Sequence, residues 1–240
     1  MKSEEFLAVQ ATKGRTATAV GDVLRTRMRN MMRMLLCAAF FTLHSSLFTS
    51  CSEDTGEEDE YANWQERNEA YFATLADSLS ANPASWQRIK NFSLDPQGEG
   101  LPTDYIYVKT IASGTDDERP VYTDSVRVCY QGRIIPTASY PQGYVFDGTV
   151  CGTYSLQTSA TSRMKLSTLI AGMSTALQHM HRGDYWRVYI PANLGYGSQD
   201  KTSAGIPPYS TLIFDLTLVD FSPAGQAMSV WSARGMRSDE

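Results

Sequence analysis

The sequence predicts an α+β domain: one antiparallel sheet wrapped around one short helix, with a helical segment ahead of it. Three observations carry this. Four stretches alternate apolar and polar residues with a period of two, turn residues separate them, and one amphipathic helical pattern lies between the second and the third. A chain of 240 residues with 42% hydrophobic content can fill one good core.

In chain order, residues 61–92 (YANWQERNEAYFATLADSLSANPASWQRIKNF) place Trp64, Tyr71, Leu75 and Leu79 at helical intervals. Asn82-Pro83 interrupts the pattern and leaves room for a second short helix. The aromatic stripe has two uses open to it: packing on the main domain, or on a copy of itself in a homodimer. Residues 93–102 (SLDPQGEGLP) read as a polar linker. The strand patterns follow: YIYVKTI (105–111), DSVRVCYQGRII (124–135), DYWRVYIP (184–191) and STLIFDLTLVDF (210–221). Trp186, Val188 and Ile190 share one face, and so do Leu212, Phe214, Leu216 and Leu218, so each strand is expected to have one wet and one buried side. The helix is expected over 167–180 (STLIAGMSTALQHM), capped by Ser167 or Thr168, with Leu169, Ile170, Met173, Leu177 and Met180 in one stripe and Gly183 beyond its end.

Net charge is −5, and the first fifty residues hold seven Lys/Arg against three Asp/Glu, which leaves 14 against 23 for the rest. That acidity excludes a nucleic-acid partner, which needs a basic face. From Met28 the chain reads MRNMMRMLLCAAFFTLHSSLFTSCSED: arginines, then an apolar stretch from Met34 to about Phe48. The stretch is shorter than the ~20 residues of a spanning helix and ends in small residues, as a secretory signal does. Residues 1–27 contain no apolar run, so Met28 or Met31 reads as an alternative start. Six of the eight residues Glu53–Glu60 are acidic, which predicts an extended tether or an export tag. The expected organisation is thus 1–50 signal, 51–60 tether, 61–102 helical segment and linker, 103–222 the main domain and 223–240 a flexible tail. Cys129 and Cys151 are open to pairing in an exported protein and equally to being buried thiols.

Two resemblances add to this. Phe48-Thr49-Ser50-Cys51 resembles the lipobox of bacterial lipoproteins, and an acidic run behind it resembles surface lipoproteins of the Bacteroides group. That resemblance implies acylation of Cys51, a lipid anchor to the membrane, and a place in the bacterial cell envelope, at the outer membrane, on its periplasmic or surface face. The motifs DSVRVCYQG, VFDG, LIAGM, LQHMHRGDYWRVYIP, LGYG and IPPYSTLIFDLTLVDF resemble, in order and spacing, the FKBP-type peptidyl-prolyl cis-trans isomerases from about Tyr105 to Phe221. The resemblance implies an FKBP-like fold, no cofactor, and proline-containing polypeptides as clients. It also accounts for the absence of a nucleophile. Amide rotation is opposed by about 18–20 kcal/mol of resonance, and a dry pocket that holds the proline ring and accepts the twisted amide lowers that barrier without a covalent bond.

Carried over residue by residue, the resemblance implies a pocket of Tyr130, Phe146, Asp147, Ile170, Tyr196 and Phe214, with Met164, Leu169, Met173 and Ile206 as further substrate-binding residues. Tyr130 and Phe146-Asp147 would form one wall, the Ile170 amide would donate to a substrate carbonyl, and Tyr196 would offer its hydroxyl from a loop capped by Ile206. Phe214 would press on the proline ring. Met173 departs from the pattern, since most members of the family have a tryptophan there; a softer, smaller floor and altered proline-ring binding follow. A binding or chaperone module with little isomerase activity is the alternative that Met173 favours. His179 and His181 sit two apart on a helix and do not face each other, and no Cys, Asp or Glu cluster accompanies them, so no metal is expected.

Overall fold

A computed structural model of the chain describes residues 59–150, 155 and 158–228; the signal-like segment, the proposed lipid site Cys51, nearly all of the tether, Cys151 and residues 229–240 lie outside them. The elements are α1 (Trp64–Ala81), β1 (Trp86–Lys90), β2 (Tyr105–Ala112), β3 (Ser125–Ile134), β4 (Val145–Gly148), β5 (Ser162–Lys165), α2 (Ala171–Leu177), β6 (Tyr185–Ile190) and β7 (Leu212–Ser222). Seven strands make one sheet in the order β1-β2-β6-β7-β3-β4, with β5 continuing the β4 edge along the other half of β3. All pairings are antiparallel. The architecture is the α+β arrangement expected, and α2 lies on the face where Ile106, Val108, Val188, Leu216 and Leu218 are buried with its own Leu177.

Three expectations change. The stretch after Asn82-Pro83 is a strand, not a second short helix: Trp86–Lys90 pairs with Tyr105–Lys109 at the edge of the sheet. Five residues are too few for periodicity to separate the two readings, and the neighbouring strand decides. The main helix is also shorter than predicted. Leu166–Thr168 forms a 3-10 turn, Leu169 and Ile170 are extended, and the α-helix begins at Ala171. The hydroxyl of Thr168 donates back to the Lys165 carbonyl at 2.8 Å, so neither it nor Ser167 caps the helix. At the other end the amides of His179 and Met180 bond three residues back, to Ala176 and Leu177, and tighten the last turn.

The third change concerns the outer face of the sheet. Strand β7 is buried on both sides from Leu212 to Val219, where one wet side was expected. Helix α1 covers part of the outer face. Phe72 packs edge-on against Tyr107 at 5.2 Å, Tyr71 lies 6.5 Å from Tyr189, and Trp86 stacks on Tyr189 at 5.4 Å. The aromatic stripe therefore goes to the chain's own sheet, with Trp64, Phe72 and Leu75 in the main core. Burial of these rings is where the helix gains its stability, because its solvent side carries little more than charge and small residues.

Candidate functional site

Alternation along the strands sets one row of residues side by side on the inner face. Val108 pairs with Val188, Val188 with Phe214, Phe214 with Gly132, and Gly132 with Asp147. Tyr130, two residues from Gly132 on the same face, lies with its ring 6.4 Å from that of Phe214, and Phe146 meets Phe214 edge-on at 5.7 Å. Such aromatic pairs favour offset or edge-to-face contact, and the three rings meet on this face in that way. The Tyr130 hydroxyl donates to Asp147 Oδ2 at 2.7 Å. Asp147 Oδ1 also accepts from the Gly148 amide at 2.8 Å, so the carboxylate is fixed from two sides at the rim.

Gly132 makes this possible, and the sequence reading assigned it no part. A Cβ there would lie 2.6 Å from Phe214 and 2.8 Å from Phe146. Only a bare backbone lets both rings close over β3. The residue stood inside the VCYQG motif, but its role needs the two rings to be in place before it can be seen.

The remaining predicted residues belong to the main hydrophobic core or pack against it. Met173, Ile206 and Phe214 are buried within it, and Met164, Leu169, Ile170 and Tyr196 are partly buried against it. Ile170 is the residue before α2, extended at φ −59° and ψ 149°, so its amide lies outside the helix's own ladder. Burial pushes the Tyr196 phenol above its ordinary pKa, and the charge of Asp147 adds to that. Tyr130 is pushed far up by burial and then by its bond to Asp147. Both hydroxyls are therefore neutral donors at physiological pH. Trp186 is buried on the same face beside Leu216. The histidines are engaged locally: His179 Nδ1 lies 2.9 Å from the Thr175 carbonyl, and His181 Nε2 2.9 Å from Arg119 Nε. Among the described residues no group of three or more His, Cys, Asp or Glu gathers as a metal site would require.

A separate cavity of about 510 Å³ lies between α1 and the loops after β6, lined by Phe72, Pro102, Pro191, Tyr209 and Thr211 among others. It shares no residue with the predicted pocket, although its wall includes Gly197 and Ser198, the neighbours of Tyr196.

Comparison with known proteins addresses the same part of the chain. Residues 116–219 match the model of the FKBP-type peptidyl-prolyl cis-trans isomerase family. The chain is 33% identical over 133 residues to a macrophage infectivity potentiator of Trypanosoma cruzi, covering 55% of this chain and 60% of that protein. It is 35% identical over 101 residues to the FKBP-type 22 kDa peptidyl-prolyl cis-trans isomerase of Escherichia coli (strain K12), covering 42% and 43%. It is 34% identical over 124 residues to the outer membrane protein MIP of Legionella longbeachae, covering 52% and 47%. The chain thus spans about half the length of the curated relatives it matches. The match supports the FKBP-type peptidyl-prolyl cis-trans isomerase family for the domain at residues 116–219.

Proposed function

We propose that this domain isomerises X-Pro peptide bonds of exported or envelope polypeptides by non-covalent catalysis in the corner formed by Tyr130, Phe146 and Phe214. The single observation that carries the reading is the meeting of those three rings, Phe146 and Phe214 closing over Gly132 and Tyr130 packing on Phe214, with the Tyr130 hydroxyl bonded to Asp147. Such a corner takes a proline ring against Phe214 and removes water from the amide. Loss of water's hydrogen bond to the carbonyl oxygen weakens the resonance that opposes rotation, and a shape that fits the twisted amide better than the planar one lowers the barrier further. In this reading Ile170 N–H and the neutral Tyr196 hydroxyl donate to flanking carbonyls, while Met164, Leu169, Met173 and Ile206 line the apolar approach.

The test is isomerisation of a proline tetrapeptide by the purified chain, beside a Tyr196→Phe, Phe214→Ala double variant and a macrolide inhibitor of the family. Activity abolished by both is the expected result. A folded chain with no activity would overturn the reading in favour of a binding module, which the buried Met173 favours. Met173→Trp separates the two: it should raise inhibitor affinity and turnover, and unchanged values would remove Met173 from the account of the pocket floor.

An envelope location rests on the basic and apolar segment from Met28, the Cys51 motif and the acidic run behind it, together with the printed name of the Legionella relative, an outer membrane protein. Labelled palmitate should enter the chain in a bacterial host and should not enter a Cys51→Ala variant.

A further inference from the structure

The residues just ahead of and inside the first turns of α1 hold the two loops that frame the pocket. The first loop joins β3 to β4 and delivers Phe146 and Asp147. Glu60 accepts from Thr137 Oγ1 at 2.6 Å and from the Ser139 amide at 2.9 Å, and these bonds hold the Glu60 carboxyl below its usual pKa. The second loop runs from Tyr196 to Thr211 and delivers Ile206. Trp64 Nε1 donates to Ser210 Oγ at 2.9 Å, and that hydroxyl donates in turn to the Pro207 carbonyl at 2.6 Å, one residue after Ile206. Asn68 Oδ1 accepts from the Thr211 amide at 2.7 Å, while its Nδ2 donates to the Trp64 carbonyl at 2.7 Å.

Trp64, Asn68, Ser210 and Thr211 are all buried, so none of these bonds has water as a ready substitute. The two loops also touch each other. Gly205 holds φ +77°, and a Cβ on it would lie 2.1 Å from the Tyr144 ring, so a bare backbone in the left-handed region is what lets the second loop close under the first. Tyr209 holds φ +62°, a conformation a tyrosine rarely adopts, and its amide donates to the Gly197 carbonyl at 2.8 Å across the base of the second loop. That strained turn persists only where its surroundings over-determine it, and the Trp64–Ser210–Pro207 relay and Asn68 supply the constraint on either side.

We infer that Glu60–Asn68 is a built-in clamp: Trp64 and Asn68, acting through Ser210 and Thr211, are positioning residues that set the Tyr196–Ile206 side of the pocket, with Glu60 setting the Phe146 side. This rests on the isomerase reading of the pocket. Glu60, Trp64 and Asn68 lie before residue 116, where the family match begins, and reach Thr137, Ser139, Ser210 and Thr211 inside the matched stretch.

The experiment uses the full chain and two readouts, hydrogen exchange by mass spectrometry and steady-state isomerase kinetics. Ser210→Ala strands the indole N–H and the Pro207 carbonyl together. Trp64→Phe keeps the apolar ring and removes the donor, should Ser210→Ala fail to fold. Both variants should speed exchange at Ile206 and Tyr209 at least tenfold while the β3–β7 ladder stays protected. Both should lower kcat/KM by roughly five- to tenfold, mainly through KM, and Ser210→Thr, which keeps the hydroxyl, should restore both readouts. Gln65→Ala, on the solvent side of the same helix, should change neither. Unchanged loop exchange overturns the clamp, and so does faster exchange with unchanged kinetics, since the loop would then be held without effect on the pocket. An inactive parent chain would instead overturn the isomerase reading, and the exchange data would still decide whether the clamp exists.

Discussion

The two faces of the sheet where β3, β6 and β7 meet are both buried, yet they are built from opposite chemistry. Phe214 points inward to Gly132, Tyr130 and Phe146. Its successor Asp215 points outward and is only 4% exposed. Arg187 clasps it with Nε at 2.6 Å and Nη2 at 3.1 Å, and Arg133 pairs with it from the other neighbouring strand. Tyr71 of α1, Tyr189 and Tyr185 surround the group, and burial raises all three phenols, Tyr71 to about 12. The inner face carries a polar pair, the buried Tyr130 with the exposed Asp147. The difference teaches a division of labour. Charge on the outer face ties three strands in register one residue away from Phe214, and the inner face can stay dry because no buried charge is needed there to hold it.

The strongest way to break this comparison is Asp215→Asn. It leaves Arg133 and Arg187 facing each other with no countercharge, and should destabilise the fold by about 3 kcal/mol in urea unfolding; the value sits at the low end for a broken buried pair because Arg187 is 36% exposed. Gly132→Ala strikes the inner face instead. The new methyl would force the Phe214 and Phe146 rings apart, costing about 2 kcal/mol of stability and at least tenfold in kcat/KM, so its effect on activity should exceed that of Asp215→Asn measured on folded protein. Tyr130→Phe sharpens the contrast: removing the hydroxyl, whose partner Asp147 is exposed and can turn to water, should cost about 1 kcal/mol or less, with activity falling more than stability.

The smallest effect joins both faces. Tyr71, Tyr130, Tyr185, Tyr189 and Tyr196 all have phenol pKa values raised by burial. Above pH ~10 the unfolded chain gives up these protons and the folded chain keeps them. Stability should therefore be fully present below pH ~10 and decline as the pH rises further, and Tyr71→Phe should flatten that decline in urea midpoints measured from pH 9 to 11.5.

Much of this was legible from residue order. The four long strands and their apolar faces follow from period-two alternation, and the motifs around Tyr130, Phe146, Tyr196 and Phe214 named residues that lie in the main core or against it. The helix between β5 and β6 was placed correctly but drawn too long, because hydroxyls that can cap a helix can also bond back to a preceding carbonyl, as Thr168 does. Sequence by itself determined the class of fold and the apolar character of the site, since both rest on which residue types recur at which local spacing. Only tertiary structure decided that Trp86–Lys90 is a strand, that Gly132 is where two rings close, that Asp215 sits between two arginines, and that Trp64 and Asn68 reach Ser210 and Thr211 more than 140 positions away. Each of those depends on a partner distant in the chain, and a contact of that kind leaves no periodic trace in the residues that make it.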